Sequence, residues 1–189
     1  MRNLWLFTVT IILLCEVATG QIPRTGNAFF GYSYSQGQVL SDAASGSINT
    51  NGWEGSVEGK FLPWFGVVAD LDWHYGDRRL SCTTSPTCSS GVALVTGSRH
   101  NFLIGPRAST SIGKYTPFVQ LLIGASLQTN SGAGITTTDI SFATAFGGGL
   151  DYKLLKAVAL RGQIDFIHAS LFGRSGNDVR ISTGIVFKF

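Results

Sequence analysis

Residues 178–189 alternate strictly between apolar and polar side chains. One parity carries Val179, Ile181, Thr183, Ile185, Phe187 and Phe189, and the other carries Asp178, Arg180, Ser182, Gly184, Val186 and Lys188. A period of two residues is that of a β-strand whose two faces meet different surroundings. Large apolar groups on one face and charges on the other predict a barrel wall with lipid outside and a polar interior.

The same alternation recurs in seven earlier segments, at residues 27–35, 52–61, 65–75, 97–111, 117–127, 140–152 and 157–168. Between them, long polar segments (36–51, 76–96, 128–139 and 169–177) alternate with tight turns (62–64, 113–116 and 153–156). This layout predicts an all-β fold, an eight-stranded antiparallel up-and-down transmembrane β-barrel. The run Leu121-Leu122-Ile123 blurs the alternation of the fifth strand and leaves its facing open.

Aromatic residues gather near both ends of the predicted strands. The ends next to the long polar segments carry Trp53, Trp73, Tyr75, Phe102, Phe142 and Phe166. The ends next to the tight turns carry Phe61, Trp64, Phe65, Tyr115, Tyr152, Phe187 and Phe189. Two belts separated by aliphatic residues match two membrane interfaces, and they favour a membrane barrel over a soluble barrel with the opposite facing.

The N-terminus has the pattern of a cleavable signal peptide. The apolar run at residues 4–14 follows Arg2 and is too short to span a bilayer, which needs about 20 residues. Small residues at Ala18 and Gly20 predict cleavage after residue 20, so that residues 21–189 form the mature barrel. An anchor helix and a lipoprotein signal at Cys15 are alternatives, and Leu14 before that cysteine disfavours the second.

The low content of charged residues argues against some classes of binding partner. Of 189 residues only 13% are charged and 24 are Gly, and the formal net charge is +3 with no basic run. We therefore expect no nucleic-acid partner. Cys82 and Cys88 lie in a segment rich in Ser, Thr and Pro, where an oxidising envelope favours a disulfide over two free thiols. No metal site and no cofactor are predicted.

The inward parity collects charges of both signs. They are Glu54, Glu58, Lys60, Asp70, Asp72, His74, Arg99, Arg107, Arg161, Asp165, Arg180 and Lys188. The interior of an eight-stranded barrel is just wide enough for side chains to fill it, and buried charges need partners. We therefore predict a network of salt bridges that plugs the lumen, with a narrow polar pore and a catalytic carboxylate pair as alternatives.

One constellation could carry covalent catalysis. His168 and Ser170 share the lipid-facing parity, so that a histidine base could reach a serine nucleophile near lipid. The arrangement is similar to the His-x-Ser pair of barrel lipid A deacylases. The nearest acid, Asp178, falls on the inward parity, so we predict no enzyme and keep a lipid A esterase as an alternative.

The whole layout resembles the small OmpA/OmpX-type outer-membrane barrels. The segments Asn51-Gly52-Trp53-Glu54-Gly55-Ser56 and Gly147-Gly148-Gly149-Leu150-Asp151-Tyr152 resemble that group's barrel domain, and the terminal Phe189 resembles its assembly signal. The resemblance implies location in a bacterial outer membrane with both termini in the periplasm. It also implies partners: outer-membrane lipid, the barrel-assembly machinery through the C-terminal strand, and an extracellular ligand at the loops. The implied role is structural or surface-interactive.

Overall fold

The computed structural model describes residues 25–41, 44–81, 92–132, 135–171 and 174–189. Its strands are β1 (Thr25–Ser41), β2 (Ala44–Leu62), β3 (Phe65–Ser81), β4 (Val92–Ser109), β5 (Tyr115–Gly132), β6 (Ile135–Lys153), β7 (Val158–Leu171) and β8 (Arg174–Lys188). Each strand pairs antiparallel with its sequence neighbours, and β1 pairs with β8, which closes the sheet. The predicted fold class is confirmed. The part of the chain that the structure describes holds no helix long and apolar enough to cross a membrane.

The two ends of the barrel differ. We call the end with the β2–β3, β4–β5 and β6–β7 connections the turn end, and the opposite end the hairpin end. In the β4–β5 turn, Ile112 and Tyr115 exchange backbone hydrogen bonds of 2.7 and 3.0 Å, and Gly113 takes a φ of 63°, a conformation that glycine adopts without steric cost. Gly26 and Phe189 exchange backbone bonds of 2.9 and 3.1 Å, which complete the β1–β8 seam at the turn end.

The strands extend further at the hairpin end than the apolar pattern predicts. The β1–β2 ladder continues from Thr25↔Lys60 to Ser41↔Ala44, so most of the predicted loop at 36–51 is strand. The β5–β6 ladder likewise reaches Gly132↔Ile135 through the predicted loop at 128–139. Backbone pairing needs no apolar side chain, and a strand with water on both faces loses its alternation. The predicted signal peptide at residues 1–20, with Cys82 and Cys88, lies outside the described residues.

Side chains divide between the two faces of the wall as the alternation predicts. Arg161, Asp165 and Arg180 lie inside and are at most 1% exposed, whereas Ile164 and Ile181 lie outside at 43% and 49%. The outer surface also carries most of the large aromatic and aliphatic residues, as expected of a barrel wall that faces lipid.

The interior is not uniformly polar, which corrects the expectation of a polar lumen. Part of the inner wall carries the buried residues Val68, Leu103, Leu122, Ala143, Ala145, Ile167 and Ala169. Leu122 points inward, whereas Leu121 and Ile123 point outward, so the ambiguous fifth strand has an apolar residue on both faces. Apolar side chains of β3 to β7 therefore fill part of the lumen, and β3 and β7 also carry charged groups at other levels.

Candidate functional site in the barrel interior

Arg180 on β8 is the centre of a buried ion cluster. Its Nη1 donates to Asp70 Oδ1 at 2.8 Å and also to Asp72. Its Nη2 donates to Asp165 Oδ2 at 2.9 Å, and its Nε lies 3.4 Å from Glu54 Oε2. All five side chains are fully buried. Because the carboxylates come from β2, β3 and β7, one guanidinium joins four strands through the lumen.

Asn101 and His74 also contact the carboxylate of Asp72. Asn101 Nδ2 donates to both of its oxygens, at 2.9 and 3.0 Å. His74 makes a further contact, with its Nδ1 3.0 Å from Asp72 Oδ1 and its Nε2 2.9 Å from Ser33 Oγ. These contacts fix the carboxylate in place on the β3–β4 side of the cluster.

Two glutamines connect the ion cluster to its surroundings. Gln163 Nε2 donates to Glu54 Oε1 at 2.6 Å and to Asp165 Oδ2 at 2.9 Å. Gln120 Nε2 donates to Asp165 Oδ1 at 2.7 Å, while its Oε1 accepts from Arg107 Nε at 3.0 Å. The network therefore extends from Arg180 toward the turn end without a break.

A second charged layer lies nearer the turn end. Arg161 makes a bidentate contact with Asp151, at 2.7 Å from Nε to Oδ1 and 3.0 Å from Nη2 to Oδ2. Arg107 Nη1 donates to Glu58 Oε2 at 3.3 Å. The Phe118 ring lies against both guanidinium groups, with its centroid 4.4 Å from Arg107 Cζ and 4.7 Å from Arg161 Cζ. Such cation–π contacts help to hold buried guanidinium groups that the acids alone do not saturate.

The glycine run at 147–149 makes room for these interior groups. A Cβ at Gly149 would lie 2.8 Å from Phe118 Cζ, and a Cβ at Gly147 would lie 2.0 Å from Asp165 Oδ1. The run is therefore a steric requirement of the lumen, since glycine in a strand allows other groups to approach closely.

At the hairpin end, Asp178 and Arg99 form an ion pair across the lumen between β8 and β4. Arg99 Nη2 also donates to Gln128 Oε1 at 3.3 Å. Arg99 is partly exposed and Asp178 is buried. The lumen therefore contains charged groups at three levels: near the turn end, at the Arg180 cluster and at the hairpin end.

The structure does not assemble the catalytic triad that the sequence raised as an alternative. Asp178 points inward to Arg99, as its parity predicts, while His168 is exposed and its Nδ1 lies 2.7 Å from Asn177 Oδ1. Ser170 pairs through its backbone with Ser175 on β8, and its side chain lies outside the described part of the chain. Among the described residues, no three His, Cys, Asp or Glu side chains are arranged to hold a metal ion.

All twelve charged residues assigned to the inward parity lie on the inner side of the wall. Nine are buried, and Lys60, Arg99 and Lys188 are half-buried. Sequence reasoning missed the partners Asp151 and Gln120. Extending the alternation of the sixth strand would have found Asp151, whereas the apolar run that follows Gln120 hides its facing.

Solved structures share this architecture. Neisserial surface protein A is 10% identical, with a TM-score of 0.64 over 87% of this chain and 97% of that one. Ail, the attachment invasion locus protein of Yersinia pestis, is 17% identical, with a TM-score of 0.56 over 86% of this chain and 99% of that one. The N-terminal β-barrel domain of Pseudomonas aeruginosa OprF is 11% identical, with a TM-score of 0.52 over 87% of this chain and 96% of that one.

The chain has the fold of the small outer-membrane barrels. The resemblance to the OmpA/OmpX type is thereby confirmed at the level of fold. No protein-family model matches the chain, and no curated protein matches it in sequence. An outer-membrane barrel fold carries several kinds of activity, so function has to be argued from the interior and the two ends.

Proposed function

We propose that this protein is an outer-membrane barrel with a closed lumen, whose role is structural or surface-interactive. In the proposed orientation the hairpin end faces outside the cell, and the turn end and both termini face the periplasm. The apolar outer wall and the small-barrel fold support the proposed location in an outer membrane.

The observation that carries the closed lumen is the Arg180 cluster. It joins four strands through an interior with room for little besides side chains, and its members are fully buried. Opening a water path would have to separate the contacts among five buried ionisable side chains. Removing one partner of a buried ion pair typically costs about 3–5 kcal/mol, so the closed arrangement dominates.

The hairpin end supports the surface role. From Tyr32, an exposed aromatic residue, β1 continues for nine residues to Ser41. At roughly 3.3 Å per residue this is about 30 Å of strand beyond the outer aromatic belt. In proteins with a rigid scaffold, binding residues are concentrated in exposed segments such as those that project from a membrane. Ail, named as an attachment protein, shows this fold in a protein of that kind.

Conductance tests the closed lumen. The refolded protein in planar bilayers should show no unitary current steps. Arg180→Met removes the only guanidinium in the central cluster and should raise ion leakage, whereas the outward-facing control Ile181→Ala should not. Regular current steps from the wild-type protein would support the pore alternative and contradict the proposal.

Surface labelling tests the orientation. In a background with Cys82 and Cys88 replaced by Ser, Asn49→Cys marks the hairpin end and Lys114→Cys marks the turn end. A membrane-impermeant maleimide applied to intact cells should label the first and not the second. Labelling of Lys114→Cys alone would reverse the proposed orientation.

A further inference from the structure

All five lysines of the chain lie at the turn end, although no basic run exists in the sequence. They are Lys60 near the end of β2, Lys114 in the β4–β5 turn, Lys153 at the end of β6, Lys156 in the β6–β7 turn and Lys188 at the end of β8. Closure of the barrel brings together residues that are separated by up to 128 positions. Among the described residues, the carboxylate side chains at this end are Glu58 and Asp151, which are both buried.

A cavity of about 210 Å³ opens at the turn end of the lumen. Its charged lining consists of Lys60, Lys188, Arg107, Arg161, Glu58 and Asp151. Four cationic and two anionic side chains sum to +2, and the terminal carboxylate of Phe189, which also lines the cavity, lowers the net charge to +1. The layer of Arg107, Phe118 and Arg161 closes the cavity toward the barrel centre, so it is suited to binding a ligand rather than to passing one.

Both carboxylates of this lining contact a guanidinium. Asp151 accepts two bonds from Arg161, and Glu58 Oε2 accepts from Arg107 and, at 2.6 Å, from Asn27 Nδ2, while Glu58 Oε1 is buried without a hydrogen-bond partner. Lys188 has no carboxylate within 4.0 Å among the described residues. The excess positive charge therefore resides on the lysines at the cavity mouth.

The donors of the cavity converge from both sides of β1. Lys60 lies opposite Thr25 across the β1–β2 ladder, and Lys188 lies opposite Asn27 across the β1–β8 ladder. Lys60 Nζ donates to Ser109 Oγ at 2.7 Å, which brings a hydroxyl into the same group. In the second layer, Arg161 Nη1 is a buried donor without a hydrogen-bond acceptor. Ammonium groups and hydroxyls around a concave, positively charged opening are the donor set that binds phosphate.

We propose that this turn-end cavity binds a phosphate group, with Lys60 and Lys188 as its direct ligands. The exposed lysines of the turns, Lys114, Lys153 and Lys156, raise the positive potential at the opening and attract the anion. The phosphate comes either from a soluble periplasmic phosphate compound or from a phospholipid head group of the adjacent leaflet. This assignment goes beyond the surface role and does not require the hairpin end to bind anything.

The first test is a titration of the folded protein with inorganic pyrophosphate. The protein is held in zwitterionic detergent at low salt, and binding is followed by calorimetry. The variant Lys60→Gln/Lys188→Gln should weaken binding at least tenfold, because each ammonium supplies a charge-assisted bond. The matched control Lys153→Gln/Lys156→Gln removes the same charge outside the cavity and should weaken binding less than about threefold.

Three outcomes overturn the assignment. They are the absence of saturable pyrophosphate binding by the wild-type protein, an equal loss in the two double variants, and unaltered binding in Lys60→Gln/Lys188→Gln. Heat-modifiable gel migration confirms that each variant is folded, and Lys60→Arg/Lys188→Arg should retain binding if charge is the cause.

A second arm distinguishes the sources of the phosphate. The protein is reconstituted in phosphatidylcholine vesicles with and without phosphatidylglycerol, and the pyrophosphate titration is repeated. Competition by phosphatidylglycerol that disappears in Lys60→Gln/Lys188→Gln assigns the cavity to lipid head groups. Unchanged pyrophosphate affinity in both kinds of vesicle assigns it to a soluble phosphate compound.

Discussion

Replacing Arg180 with Met isolates the contribution of the central ion cluster. Methionine is similar in length and apolar, so the change removes the charge and the donors while filling most of the space. Four carboxylates, from Glu54, Asp70, Asp72 and Asp165, then face one another without the guanidinium that touches them.

The expected loss in free energy of unfolding is at least about 3–5 kcal/mol, the usual cost of leaving a buried ion without its partner. Arg99→Met is the comparison, because Arg99 is partly exposed and lies at the hairpin end, outside the central cluster. Its cost should be smaller by about 2 kcal/mol or more, since water reaches the Arg99 side of the pair and the four central carboxylates, which are fully buried, keep their guanidinium.

Urea unfolding in detergent micelles, followed by the fluorescence of Trp53, Trp64 and Trp73, measures both values. Adding Asp165→Asn to Arg180→Met should restore part of the stability by removing one unpaired charge, and the double-mutant cycle gives the coupling. A loss below about 1 kcal/mol for Arg180→Met, or no recovery in the double variant, would refute the view that this cluster holds the lumen closed.

Further predictions concern packing, chemistry and assembly. Gly149→Ala should lower the free energy of unfolding by about 1–3 kcal/mol because its Cβ would overlap an interior ring, while Gly55→Ala, with nothing nearer than 3.8 Å, should not. Cells expressing His168→Ala or Ser170→Ala should yield lipid A with the same acyl chains as the wild type by mass spectrometry; loss of a deacylated species would instead support the esterase. Phe189→Ala should reduce the folded fraction in cells, seen by heat-modifiable migration, while refolding in detergent proceeds normally. Equal loss in both settings would point to stability rather than to recognition by the assembly machinery.

The faces of most strands could be predicted because a period of two residues follows directly from strand geometry. In residues 65–75 the acids and aromatics alternate, and the structure places Asp70 and Asp72 inside and Trp73 outside. The fifth strand could not be assigned in this way because Leu122 lines the lumen while its neighbours face outward. The strand extensions at the hairpin end were also missed. Apolar and polar residues alternate along a strand only where one of its faces contacts an apolar environment.

Alternation along the sequence does not predict which inward-facing side chains contact each other in the lumen. Arg180 meets Asp70, which is 110 residues away, because of the stagger between strands in the closed ring. The parity shows which side chains point inward, but not the level at which each one lies. The same limit applies to the lysines of the turn end, which form no cluster until the first and last strands pair.

The position of Arg180 on the final strand has a consequence for biosynthesis. Every acid that it contacts belongs to a strand made earlier, so a chain truncated before β8 has four central acids without the guanidinium that touches them, and its β1–β8 seam is open. Such a fragment would be penalised electrostatically as well as by its missing hydrogen bonds. The barrel can therefore reach its stable closed form only when β8 is present, and truncated products should remain susceptible to quality-control proteases.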